Sequence, residues 1–177
     1  MSSDLDRKQY VMHLETERFL LRNIRASDKD FIVDLWTDED VTRYMGGPRN
    51  RTQMMRDIAE NLGNPFAEKY DLWPVIEKET NQPVGHCGLL EKEVEGEPEV
   101  EVVYVIDSPH WGKGYATEIS KALIEYAFGT RGLRRIIALI KPGNKGSESV
   151  ATKIGMHLEK EVVRPNDIRM LLYVIER

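Results

Sequence analysis

One cysteine, Cys87, is all the 177-residue sequence holds, which excludes an intrachain disulfide framework. Its four histidines, His13, His86, His110 and His157, are scattered with no ligand spacing, so no metal is expected. Basic residues do not prevail either: 25 Lys and Arg against 30 Asp and Glu leave a net charge of −5, the wrong sign for a nucleic-acid-binding surface. No apolar run approaches the length of a membrane span, and no charged-then-apolar leader opens at Met1-Ser2-Ser3-Asp4. The expectation is a cytoplasmic protein with no membrane and no nucleic-acid partner. Repeats are missing too, and the length suits one domain over residues 12–177 behind a mobile tail over 1–11.

What is present alternates. Residues 19–24 read as a strand, and Ser27-x-x-Asp30 resembles a capping box opening a helix whose Phe31/Leu35 and Ile32/Trp36 pairs fall four apart. Met54, Met55, Ile58, Ala59 and Leu62 form a helical stripe over residues 52–62. Strands at 70–77, 83–91 and 100–107, joined by short turns, predict an antiparallel meander. A helix follows on Ala116, Ile119, Leu123, Ile124 and Ala127, then an apolar strand over 135–140 and a short helix over 147–154. Strands at 158–163 and 168–175 close the chain around Asn166-Asp167. The sum is an α/β (α+β) fold with a mixed sheet.

The stretch Trp111-Gly112-Lys113-Gly114-Tyr115-Ala116-Thr117-Glu118 places two glycines between a strand and a helix. N–H groups at a helix start lack carbonyl partners, and glycine lets a phosphate approach them. Lys113 adds an ammonium. The Walker pattern fails because Gly114 follows Gly112-Lys113, and the dinucleotide fingerprint fails at Thr117. Neither ATP nor NAD is favoured.

This loop resembles the pyrophosphate-binding loop of the GNAT superfamily of acyl-CoA-dependent N-acetyltransferases, and is most like its ribosomal-protein N-terminal acetyltransferase branch. A second block, Asn144-x-x-Ser147 followed by Lys153-x-Gly155-Met156, is similar to that family in residues, order and spacing. The resemblance implies a mostly antiparallel sheet of about six to seven strands flanked by helices, with a splayed strand pair holding acyl-CoA. It implies acetyl-CoA as co-substrate, Gly112, Lys113, Gly114, Tyr115, Ala116 and Thr117 around its pyrophosphate, and backbone groups near Tyr104, Val105 and Ile106 along its pantetheine arm. Asn144 resembles the residue that contacts the coenzyme or fixes the adjoining loop. Two positions depart: Val103 stands where many relatives have Gly, and Ala151 where many carry a tyrosine acid.

Glu101 matches the strand glutamate that serves as general base in histone-acetylating relatives, and Ser147 is the expected thiolate acid in place of the missing tyrosine. Each has a second reading. Glu91, Glu93, Glu95, Glu97, Glu99 and Glu101 alternate, as on a solvated strand face, and Ser147 suits an N-cap. Asn144 suits a turn before a helix, and Lys153 reads equally as a phosphate partner or a solvated charge. His86 and Cys87 adjoin in a strand, so they point to opposite faces and form no nucleophile pair. The acceptor is expected to be a primary amine, on a protein N-terminus or on a polyamine, amino acid or antibiotic; a non-catalytic acyl-CoA-binding module is the alternative. Its pocket is expected from residues 36–74 and 164–170, where Trp36, Tyr44 and Trp73 read equally as core. The oligomeric state does not follow from the sequence.

Overall fold

A computed structural model describes residues 12–63 and 70–177, so the expected tail over 1–11 lies outside the described residues. Among the described residues, eight strands form one sheet in the order β1-β2-β3-β4-β5-β6-β8-β7. They are β1 (His13–Glu15), β2 (Phe19–Arg22), β3 (Leu72–Glu77), β4 (Gln82–Val94), β5 (Glu97–Ile106), β6 (Arg135–Ile140), β7 (His157–Arg164) and β8 (Ile168–Glu176). Every neighbouring pair is antiparallel except β5 and β6, which are parallel. β1, unread in the sequence, takes the sheet just past the expected six to seven strands. The closing hairpin turns on Asn166 and Asp167, at φ 66° and 58°, a left-handed conformation these two side chains tolerate.

Among the described residues, five α-helices accompany the sheet: α1 (Lys29–Thr37), α2 (Glu39–Thr42), α3 (Arg51–Gly63), α4 (Tyr115–Gly129) and α5 (Lys145–Lys153). Alternation along β5 sorts them. Val102, Tyr104 and Ile106 pack with Ile119 and Leu123 of α4 and Ala151 of α5, whereas Val103 and Val105 pack with Ile32 and Leu35 of α1 and Ile58 of α3. α4 is the crossover that parallel β5 and β6 require. No described helix is long and apolar enough to cross a membrane.

Two helix details correct the sequence reading. α1 begins at Lys29 after a 3-10 turn over Ala26–Asp28, and the acid of the capping box is Asp28, the third residue of that turn, rather than Asp30. The Asp28 carboxylate, only 2% exposed, accepts from the Arg25 N–H at 2.7 Å and from two Arg22 guanidinium nitrogens at 2.7 and 3.0 Å. On α3 the apolar stripe narrows to Met54, Ile58 and Leu62, with Met55 and Ala59 exposed. α1 is also locked to the sheet: Trp36 Nε1 donates to His86 Nδ1 at 3.0 Å, while His86 Nε2 lies 3.1 Å from the Leu72 carbonyl. Burial pushes His86 down to about 4, so it is neutral and donates from Nε2. Cys87 points away with its thiol pushed up to about 12 by burial, so the two form no reactive pair.

Candidate active site

The only paired residues between β5 and β6 are Glu101 and Ile137. In a continued parallel ladder the next N–H of β6, on Leu139, would bond the carbonyl of Val102. Instead it donates to Glu101 Oε1 at 3.2 Å. Glu101 is therefore no solvated strand charge. It is 9% exposed, with Lys92 Nζ 3.7 Å from its other oxygen. Burial pushes its carboxyl above the ordinary range, opposed by Lys92 and the Leu139 N–H.

Beyond that rung the strands part around a cleft of about 600 Å³. β5 pairs with β4 through ten consecutive residues, from Glu97 to Ile106, with no bulge at Val103, so the opening is a divergence of β5 from β6. The Asp107 N–H donates to the Val84 carbonyl, and the alternation of an antiparallel ladder then turns the N–H and C=O of Val105 toward β4. Those of Tyr104 and Ile106 face the cleft. The expected trio of free backbone positions is thus reduced: Val105 is committed to β4, and the Ile106 carbonyl accepts from Trp111 Nε1 at 2.7 Å. The N–H and C=O of Tyr104 and the N–H of Ile106 remain directed at the opening.

At the mouth stands the start of α4. Its N-cap is Gly114 at φ 76°, and no described side chain caps the first turn. Gly112, at φ 74°, has nothing within 4 Å of where a Cβ would stand. Gly112, Gly114, Tyr115, Ala116 and Thr117 line the cleft, but Lys113 does not; its carbonyl is held from outside by Arg18 at 3.1 Å. The start of α5 is built the opposite way. Asn144 is its N-cap, with its side-chain oxygen accepting from the Ser147 N–H at 3.2 Å, so Asn144 holds the cap that was the second reading of Ser147. Ser147 lies in the first turn and lines the cleft. Tyr104 Oη donates to the Ser147 carbonyl at 3.1 Å, and burial pushes that phenol up to about 12. Ala151 is fully buried in the core.

The opposite wall comes from Asp40, Val41, Arg43, Tyr44 and Met45. The sequence left Trp36, Tyr44 and Trp73 undivided; Trp36 and Trp73 are core, while Tyr44 lines the cleft beneath Arg43, whose guanidinium carbon lies 5.0 Å from its ring centre. Residues 164–170 do not reach the cleft. Lys141, Lys145 and Lys153 line the α5 side; only Lys153 drew notice in the sequence, because lone lysines carry no positional signal. Among the described residues, no group of three or more His, Cys, Asp or Glu side chains is arranged to hold a metal ion.

A family model described as Acetyltransferase (GNAT) domain matches residues 18–157. The YkkB protein of Bacillus subtilis is 34% identical over 154 residues, covering 86% of this chain and 90% of that one. An N-acetyltransferase of Bacillus licheniformis, p20, is 32% identical over 155 residues, covering 82% and 83%. Among solved structures, an acetyltransferase of the GNAT family from Bacillus anthracis matches with a TM-score of 0.77 at 29% identity, over 93% of this chain and 98% of its own.

Proposed function

The chain belongs to the GNAT acetyltransferase family and is an N-acetyltransferase with acetyl-CoA as co-substrate, and we propose that it acts by direct attack in a ternary complex on the α-amine of a protein N-terminus. The observation that carries this reading is the uncapped start of α4 at the mouth of the β5–β6 opening. Its N–H groups suit the diphosphate, each charge-assisted bond contributing about 1.5–3 kcal/mol. The inward-facing groups of Tyr104 and Ile106 suit the amides of the pantetheine arm, which aims the thioester toward Glu101.

The two faces of β5 then divide the labour. Glu101 shares its face with Val103 and Val105, on the α1 side, and takes a proton from the incoming amine. The amine nitrogen bonds the acetyl carbon, the carbon–sulfur bond breaks, and the thiolate leaves on the α5 side, where the Ser147 hydroxyl supplies a proton and regains one from solvent as Glu101 releases the proton it took. An α-amine of pKa about 7.7–8.0 is only about 1–1.4 kcal/mol from its neutral form at pH 7, against about 4.6 for a lysine side chain, so one carboxylate suffices. On the wall at residues 40–45, Asp40 is accompanied by Arg43, and among the described residues lining the cleft no acidic cluster stands to draw a polycation. A thiol-release assay with acetyl-CoA against N-terminal peptides, polyamines, amino acids and aminoglycosides tests the reading. Release with peptides is the expected result. Release with polyamines or antibiotics alone transfers the site to small molecules, and coenzyme binding without release from any amine makes the protein a binding module.

A further inference from the structure

Glu118 is the acidic residue in the first turn of α4, where its charge opposes any anion bound at the helix start. It is tied off. Its Oε1 accepts from Thr16 Oγ1 at 2.7 Å and from the Arg18 N–H at 2.9 Å, and its Oε2 accepts from Arg18 Nε at 2.6 Å. Burial opposes ionisation, yet these bonds hold the Glu118 carboxyl below its ordinary range. The same guanidinium reaches the glycine loop. Its Nη1 donates to the Lys113 carbonyl at 3.1 Å, and its carbon lies 4.8 Å from the centre of the Tyr115 ring. Across a trans peptide the carbonyl and the following N–H point in opposite directions, so fixing the Lys113 carbonyl toward Arg18 turns the Gly114 N–H away from it. Arg18 itself does not line the cleft.

We propose that Arg18 and Glu118 are positioning residues for coenzyme binding: the pair sets the peptide plane of the glycine loop and cancels the acid charge that would repel a diphosphate. This rests on the reading of residues 112–117 as the diphosphate loop. The connection between β1 and β2, about a hundred residues upstream, thereby becomes part of the donor site without touching the donor.

Calorimetric titration of the full chain with CoA, and separately with pantetheine, which lacks the diphosphate, tests the pair. Arg18→Gln is expected to raise the Kd for CoA about tenfold or more, since a charge-assisted contact is lost and an acid is left unpaired, with the Kd for pantetheine unchanged. Adding Glu118→Gln to that variant is expected to restore part of the affinity. Arg18→Lys, which keeps the charge but not the fork, is expected to fall between wild type and Arg18→Gln, and it decides the matter should Arg18→Gln fail to fold. Equal losses toward both ligands, or unchanged CoA affinity with a lowered Tm, reduce the pair to a fold-stabilising tie and overturn the proposal. A wild-type chain that binds CoA no better than pantetheine sinks the diphosphate reading itself, and the clamp with it.

Discussion

At Glu101 one carboxylate both replaces a rung of the sheet and faces the cleft, and two substitutions separate these roles. Glu101→Gln keeps an oxygen for the Leu139 N–H but cannot take a proton, so kcat is expected to fall about 100-fold or more with Tm nearly unchanged. Glu101→Ala orphans that N–H as well and is expected to cost about 1–3 kcal/mol in urea unfolding. Because burial raises the Glu101 pKa, activity should fall as pH drops through a value above the ordinary carboxylate range, and a pH–rate profile without that limb removes Glu101 as base. Its burial was illegible because six glutamates alternate from Glu91 to Glu101, and period two alone cannot show where a neighbouring strand ends. The Asn144 cap, by contrast, was within reach: Asn ranks with Ser at an N-cap, and reading the helix from Lys145 would have found it.

Among the elements, α1 depends on a pairing invisible in sequence, since Trp36 and His86 lie 50 residues apart and show no spacing rule. The consequence is a stability that depends on pH. His86 titrates near 4 in the fold against about 6.5 when unfolded, so the unfolded chain binds the proton first as pH falls. Stability from this group is full above about pH 6.5 and declines by about 3 kcal/mol down to pH 4. Urea midpoints from pH 7 to 4 measure it, and a His86→Gln variant should lose that part of the slope. The longer strands were readable from alternation and turns, whereas three-residue β1 carries too few positions for any period. The glycine loop was legible because positive φ at Gly112 and Gly114 is what the residue type announces.

For the molecule as a whole, the sheet consists of β1–β5 and β6–β8, joined by a single backbone rung, by side-chain ties such as Glu101 to the Leu139 N–H and Arg135 to Glu99, by apolar packing of Val94 with Ile137 and Leu172, and by the α4 crossover. A ligand bonded to both β5 and the start of α4 adds links that the free chain lacks. CoA at 100 times its Kd is expected to add about 2.7 kcal/mol of stability. Hydrogen exchange should slow at the Tyr104 and Ile106 amides on CoA addition, while the Val105 amide, turned toward β4, is protected already; exchange that ignores CoA at Tyr104 and Ile106 refutes the placement of the pantetheine arm. The parting of β5 and β6 was not readable from Val103, because divergence is a relation between strands and no single residue type encodes it. The two motif blocks were readable because glycine and a capping side chain act locally.

Peptide groups are supplied at every position except by proline's missing N–H, so a donor gripped through them survives changes of side chain along β5 and in the loop. The wall at residues 40–45 is made of side chains, and it has no such protection. Selection acting on a lineage with this architecture can rewrite that wall while inheriting the grip intact, so descendants of one donor site are free to diverge in what they modify.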